Sequence, residues 1–185
     1  MGPNDIVIHY RDGSSESPNH GIDSTVPKVA YFTHIIDLHL KKQTGVSIHY
    51  LTEPRWRSNH HVVDTLKAKY GQRFRVSQGS PEQDLSMGMR APILIICAET
   101  FGWLMAYLTL ARNIYMVYES VRPMGAKFCP WDRLFIHDDE RIQYYDVVRM
   151  DVLLETPQEV MQRHDNPFSE RVRQRKNPCE GQLRR

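Results

Sequence analysis

The stretch APILIICAETFGWLMAYL, residues 91–108, indicates the fold class more clearly than any other part of the chain. Its first half, residues 92–97, is almost wholly apolar, which is the composition of a parallel strand covered on both faces. A helical apolar pattern follows at once, with Thr100 as its predicted N-cap. The stretch therefore predicts a central strand and the helix that follows it.

The same alternation of strand and helix runs through most of the sequence. Gly45 and Gly71 are predicted helix stops, and Ser80-Pro81 is a predicted helix start. Five strands are predicted, at residues 5–10, 46–51, 73–77, 92–97 and 113–118. We therefore expect an α/β fold, namely a Rossmann-like, doubly wound, mainly parallel sheet with right-handed crossovers. One or two short strands should follow around the turn at 138–139, and a closing helix over 151–163.

Composition limits the domain organisation and the class of partner. With 185 residues and 41% hydrophobic content, the chain is the size of one domain, predicted over residues 1–165. Residues 166–185 are rich in arginine and poor in apolar residues, which predicts a basic, disordered tail. The net charge of +2 is too balanced to indicate nucleic acid. No apolar run approaches the ~20 residues that cross a bilayer.

Cysteine usage indicates the compartment. Cys97, Cys129 and Cys179 are widely spaced and odd in number, so they form neither a disulfide framework nor a zinc pattern. Cys97 lies in an apolar run and is predicted to be buried. A disulfide between Cys129 and Cys179 stays open, but the usage favours a reducing compartment such as the cytoplasm.

Polar side chains lie where the first and fourth predicted strands end. In DIVIHYRDG, residues 5–13, the first strand runs into His9 and Arg11 before an Asp-Gly turn. The simple interpretation is that these side chains meet water. The alternative is that Arg11 grips a phosphate, because open parallel sheets bind ligands at the carboxyl ends of their strands.

The start of the helix after Glu99 allows the same two interpretations. Its first backbone N–H groups could hold an anion. Alternatively, Thr100 is only a cap, and Phe101, Trp103, Leu104 and Leu108 are core residues, which their helical spacing favours.

Together these strand ends resemble two motifs of fucosyltransferases that use GDP-fucose, in the α1,2, α1,6 and protein O-fucosyl groups. HYRDG resembles their His-x-Arg-x-Gly motif, and ETFGWLMAYL resembles their Ser-Thr-Phe-Ser-Trp-Trp-Ala-Ala-type motif. DLSMGMRA, residues 84–91, is similar to the Asp-Phe-x-x-Leu-x-x-Ala stretch that often precedes the second motif. The resemblance implies the C-terminal, nucleotide-sugar-binding half of a B-fold glycosyltransferase.

The resemblance also implies roles for individual residues. Arg11 would contact the diphosphate and stabilise the leaving group, and His9 would shape the site. Thr100 and Phe101 would hold phosphate oxygens, and Asp84 would lie near the guanine. The implied substrate-binding set is His9, Arg11, Gly13, Asp84, Glu99, Thr100 and Phe101, with no metal or other cofactor.

Three positions depart from the family pattern. Asp12 stands where a second arginine is usual, Ser14 replaces the following acid, and Glu99 replaces a serine. An added carboxylate beside a diphosphate opposes binding unless it is turned away or paired. These departures leave the identity of the donor sugar nucleotide open.

The implied activity is transfer of a sugar, GDP-fucose being the first candidate donor, to a hydroxyl of a glycan or protein acceptor. The family places an acceptor-binding domain before the first motif, whereas four residues precede Asp5 here. We therefore expect one of two cases: the chain is a truncated or divergent single-domain member, or a second domain or subunit supplies the acceptor site. The alternative function is a non-catalytic, regulatory α/β module that binds an anion or nucleotide.

HDDE at 137–140 resembles an Asp-x-Asp metal site, but a solvated turn is the favoured interpretation.

Overall fold

In the computed structural model of the chain, residues 1–10, 29–52, 60–97, 100–118, 139–146 and 154–156 are described. Strands and helices alternate along the chain through its fifth strand. The elements are β1 (Ile6–His9), α1 (Val29–Lys42), β2 (Ile48–Leu51), α2 (His60–Tyr70), β3 (Phe74–Ser77), α3 (Pro81–Met89), β4 (Ile93–Ile96), α4 (Thr100–Leu108), β5 (Asn113–Tyr118), β6 (Ile142–Asp146) and β7 (Leu154–Glu155). The predicted alternation is confirmed, and each of the five predicted strands is found.

All described strands belong to one seven-stranded sheet, in the order β3-β2-β1-β4-β5-β6-β7. Every neighbouring pair from β3 to β6 is parallel, and only β7 pairs antiparallel, with β6. β1 and β4 lie side by side near the middle, and their residues are buried throughout. The predicted mainly parallel sheet is confirmed.

Helices cover both faces of the sheet. Successive strand residues point to opposite faces, so Ile6 and Ile8 pack with α1 and α2 in one apolar cluster. Val7 packs in a second cluster, on the other face, with residues of α3 and α4. The fold is therefore Rossmann-like and doubly wound, as predicted.

Local sequence explains where the helices begin and end. Ser80 begins α3 with a capping box, since the Ser80 N–H donates to Gln83 Oε1 (2.9 Å) and the Gln83 N–H donates to Ser80 Oγ (3.4 Å). Gly45 and Gly71 follow α1 and α2 with φ of 72° and 55°. A residue with a Cβ rarely adopts these angles. Gly71 directly follows Tyr70 and ends α2 as expected, whereas Gly45 lies three residues beyond Lys42, the last residue of α1.

Two details of α4 differ from the sequence prediction. The helix begins at Thr100, so Thr100 is its first residue and not its N-cap. Leu104 and Leu108 are each 38% exposed and are not core residues. The sheet-facing side is instead formed by Met105 and Ala106, which are fully buried. Close packing of Met105 on α3 sets this rotation of the helix, and the spacing of apolar residues alone did not indicate it.

The closing helix predicted over 151–163 is wrong at residues 154 and 155, which form strand β7. Leu154 pairs with Tyr145 of β6. Pro157 follows shortly in the sequence, and the residue before a proline is biased away from the helical conformation. The remainder of that segment and the predicted tail over 166–185 lie outside the described residues.

None of the described helices combines the length and apolar character needed to cross a membrane.

Candidate functional site

The candidate site lies at the carboxyl edge of the sheet, between β1 and β4. His9, the last residue of β1, is paired with Ile96, the last residue of β4. The helix that follows β1 packs on one face of the sheet, and the helix that follows β4 packs on the other. Such a reversal of strand order opens a crevice, and open α/β sheets bind their ligands there.

A direct contact joins the end of β1 to the start of α4 at this edge. The ring centroids of His9 and Phe101 are 5.2 Å apart, with the planes tilted by 50°. His9 is buried, and Phe101 is half-buried. Tilted aromatic contacts of this kind contribute about 0.5–1.5 kcal/mol beyond the area they bury. The start of α4 is therefore held against the end of β1.

The first turn of α4 contributes backbone donors to this place. The first N–H groups of an α-helix have no partner within the helix. Because Phe101 is the second residue of α4 and contacts His9, these N–H groups lie beside the end of β1. Backbone N–H groups and the helix dipole together favour an anion at such a position.

The chain is also firmly placed up to the residue before Arg11. The Tyr10 side chain is buried, and its ring packs edge-on against Phe32 of α1 (centroids 5.6 Å apart) and Tyr50 of β2 (6.5 Å). These contacts anchor Tyr10 on one face of the sheet. The point from which the chain continues to Arg11 is thus set by the core.

Asp84 lies in the first turn of α3, also at the carboxyl edge, and is only 6% exposed. A Cβ on Gly79 would stand 2.9 Å from Asp84 Oδ1, so the loop backbone at Gly79 closes over the carboxylate. A negative charge is favourable at a helix N-terminus. Helix α3 packs against both β1 and α4, which brings Asp84 into the same layer as the crevice.

A depression of about 630 Å³ runs along α3 from the end of β3. Its lining includes Gly79, Glu82 and Asp84 at one end and Arg90 at the other. The Arg90 guanidinium is turned back onto α3, donating to Ser86 O (3.0 Å) and Ser86 Oγ (3.2 Å). This depression adjoins Asp84, while the contact between His9 and Phe101 lies outside its lining.

Acidic and histidine side chains do not cluster as metal ligands in the part of the chain that the structure describes. Of the HDDE segment, Asp139 and Glu140 are described, and His137 and Asp138 are not. Asp139 pairs with Arg141, with 2.8 Å between Oδ1 and Nε. The hydrogen bond from Arg141 lowers the pKa of Asp139 and outweighs the opposing effect of burial. Arg141 also donates to the Thr109 and Ala111 carbonyls, so Asp139 has a structural role.

The structure brings together some of the predicted site residues. His9 and Phe101 are in contact, Thr100 begins the adjoining helix, and Asp84 lies in the first turn of the neighbouring helix. Arg11, Gly13 and Glu99 lie outside the described residues, and so do Cys129 and Cys179. The roles implied for Arg11, Gly13 and Glu99 therefore stay predictions.

Sequence reasoning missed the glycine that lets α3 and α4 approach each other. A Cβ on Gly88 would overlap Met105 Sδ and Cγ, so the α3 backbone lies directly on the Met105 side chain. The available signal was a glycine inside a helical pattern, which costs about 1 kcal/mol relative to alanine and usually has a packing reason. Gly88 thus sets the spacing of the two helices whose first turns border the site.

No protein-family model, curated protein or solved structure matches the chain.

Proposed function

We propose that the chain is a fucosyltransferase-like glycosyltransferase domain that binds a GDP-sugar in the crevice between β1 and β4. The two motifs favour GDP-fucose as the donor and a hydroxyl of a glycan or protein as the acceptor. The observation that supports this proposal is the contact of His9 with Phe101. It unites, at the carboxyl edge where such sheets bind ligands, two sequence motifs that lie far apart along the chain.

The chemistry proposed for this site is stabilisation of a leaving diphosphate. The bond between the anomeric carbon and the diphosphate oxygen breaks, and the acceptor oxygen forms a new bond to that carbon as its hydroxyl loses a proton. Negative charge grows on the diphosphate while the sugar becomes oxocarbenium-like. Positioned hydrogen-bond donors that meet this growing charge lower the barrier.

Two groups would supply those donors. The backbone N–H groups at the start of α4 lie beside the end of β1 and would hold phosphate oxygens. Arg11, which follows the anchored Tyr10 in sequence, would bind the diphosphate through both arms of its guanidinium. Such a site needs no metal ion to balance the diphosphate charge.

Asp84 is the residue proposed to face the guanine. A carboxylate can accept two hydrogen bonds at once, and guanine offers two adjacent N–H donors on one edge. The buried position of Asp84, next to a depression of about 630 Å³, fits recognition of a base. The uracil base of UDP presents a different hydrogen-bonding edge from guanine, so UDP should bind more weakly than GDP.

The test is calorimetric titration of the full chain with GDP, GDP-fucose and UDP, for the wild type, Arg11→Ala and Arg11→Lys. Arg11→Ala should weaken GDP binding by about 2–5 kcal/mol, because a buried phosphate loses its partner. Arg11→Lys keeps the charge but loses the fork, so binding should weaken clearly. The matched control is Arg73→Ala, an exposed arginine just before β3 at the opposite edge of the sheet, which should change nothing.

Thermal melting of the same variants separates binding from folding. Both Arg11 variants should melt like the wild type if the guanidinium faces a ligand. Unaltered GDP affinity in Arg11→Ala would refute the proposal. Binding of GDP-fucose without turnover, across a panel of glycan and protein acceptors, would instead favour a regulatory nucleotide-binding module.

A further inference from the structure

Helix α4 exposes a continuous apolar surface on the side away from the sheet. It consists of Leu104, Tyr107 and Leu108, with half-buried Trp103 along its border and Leu110 two residues after the helix, and we call it the α4 apolar face. Trp103 also packs against the core cluster on this side of the sheet. Tyr107 is 63% exposed and Leu110 is 82% exposed. The Trp103 and Tyr107 rings stack, with centroids 5.5 Å apart and planes within 10° of parallel. Residues three and four apart share one side of a helix, so these side chains form a single stripe.

The other three long helices differ in this respect. Their exposed positions carry charges, which include Lys41 on α1, Asp64 on α2 and Glu82 on α3. Residues 100–111, by contrast, contain no charged side chain. A surface helix normally presents polar residues to water, and a contiguous exposed apolar patch marks an interaction site.

We propose that a second copy of this chain covers the α4 apolar face in a two-fold symmetric dimer. The proposal is independent of the nucleotide site, because this face points away from the sheet. Self-association requires a surface that does not repel its own copy, and an uncharged face meets that requirement. It also lacks the charges with which a surface usually selects a different, oppositely charged partner.

The size of the face agrees with a dimer. The exposed parts of its side chains amount to roughly 500 Å² of apolar surface. Two copies would therefore bury on the order of 1,000 Å², which is the lower limit for a biological interface and corresponds to a weak, concentration-dependent dimer. In an antiparallel arrangement of the two α4 helices, Trp103 lies opposite Tyr107 of the second copy, and Leu104 lies opposite Leu108.

The experiment is sedimentation velocity with light scattering on the full chain, from about 1 to 100 µM. The wild type should pass from monomer to dimer in this range. Leu104→Glu and Tyr107→Glu should each raise the dimer dissociation constant at least about tenfold, because each places a desolvated carboxylate in the interface. The matched control is Val76→Glu on β3, since Val76 is 39% exposed and Leu104 is 38% exposed. This control should dimerise like the wild type.

Several outcomes would overturn the proposal. If the wild type stays monomeric over the whole concentration range, the α4 apolar face does not bind a second copy of this chain and would be a surface for a different protein. A dimer lost in Val76→Glu but kept in Leu104→Glu would place the interface at the edge of the sheet. A large drop in melting temperature for both α4 variants of a monomeric protein would mean that another segment of the same chain covers the face. Tyr107→Glu is the safer variant for folding, because Tyr107 is the more exposed of the two residues.

Discussion

Replacing Gly88 by alanine should force α3 and α4 apart, and the effect should depend on Met105. The new Cβ would stand 2.9 Å from Met105 Cε and closer still to Sδ and Cγ. Met105 is fully buried, so its side chain cannot swing into solvent to make room. One of the two helices, or the methionine rotamer, has to move.

Two opposing contributions set the change in the free energy of unfolding of Gly88→Ala. Alanine is favoured over glycine inside a helix by about 1 kcal/mol, while overpacking a buried site costs about 1–3 kcal/mol. Gly88→Ala should therefore lower the free energy of unfolding by up to about 2 kcal/mol. With Met105→Ala the obstacle is gone, so the same change should raise the free energy of unfolding by about 1 kcal/mol. The sign of the effect thus reverses between the two backgrounds.

The assay is urea denaturation of the wild type, both single variants and the double variant, analysed as a double-mutant cycle. A coupling of about 1–3 kcal/mol between the two positions is expected, since they are in direct contact. Coupling within about 0.5 kcal/mol of zero would refute the close approach of the helices. GDP titration of the same four proteins tests the site, because Asp84 and Phe101 lie on the helices that would be displaced. Affinity should fall in Gly88→Ala and partly recover in the double variant.

Three further predictions concern single groups. Burial, together with the charges of Lys42 and Arg112, lowers the pKa of His39 in the folded protein. Below about pH 6.5 the unfolded chain therefore binds more protons than the folded chain. The free energy of unfolding should then fall as the pH falls. His39→Gln, which can keep the hydrogen bond to Tyr115 Oη, should flatten that slope in pH-dependent denaturation. Asp5→Ala should lower the free energy of unfolding by about 1–3 kcal/mol, because the Gly2 and Ser47 N–H groups lose their acceptor. Asp64 is exposed, so Asp64→Ala should lower it far less, and denaturant unfolding measures both. Ser80→Ala should cost about 1 kcal/mol through the lost N-cap, with Ser80→Asp restoring most of it, and equal melting of all three proteins would contradict the capping box.

The strands and most helix ends were predictable because their causes are local. ILII in β4 and IVI in β1 are apolar at every position, which is what strands covered on both faces require. Ser80-Pro81 and Gly71 mark helix ends through backbone geometry that neighbouring residues decide. The failures have tertiary causes. Leu104 and Leu108 resemble core residues by spacing, but the seating of Met105 on Gly88 turns them outward. The strand at 154–155 depends on its antiparallel pairing with β6, a strand that precedes it in sequence but not immediately.

In the candidate site too, the features with local causes were predictable from the sequence and those with tertiary causes were not. The motifs themselves and their placement at strand ends were visible in the sequence. The contact between His9 and Phe101 was not, because it depends on which strands are neighbours. A glycine such as Gly88 can be flagged as unusual inside a helix, but only the packed structure shows that Met105 fills the space above it.

The order of the strands links the composition of the chain to the site. β1 and β4 are separated in sequence by β2 and β3, so their adjacency needs a cause. β3 carries exposed Arg75 and Val76 and suits an edge, where one side meets water. Apart from His9, the residues of β1 and β4 are all apolar, and all of them are buried, so both strands lie inside the sheet with helices above and below. Placing β3 and β2 to one side leaves β1 next to β4, and the chain then leaves the two strands on opposite faces. The apolar composition that drives these two strands to the centre thus also brings the end of β1 beside the end of β4 and the start of α4, which is where open α/β sheets bind ligands.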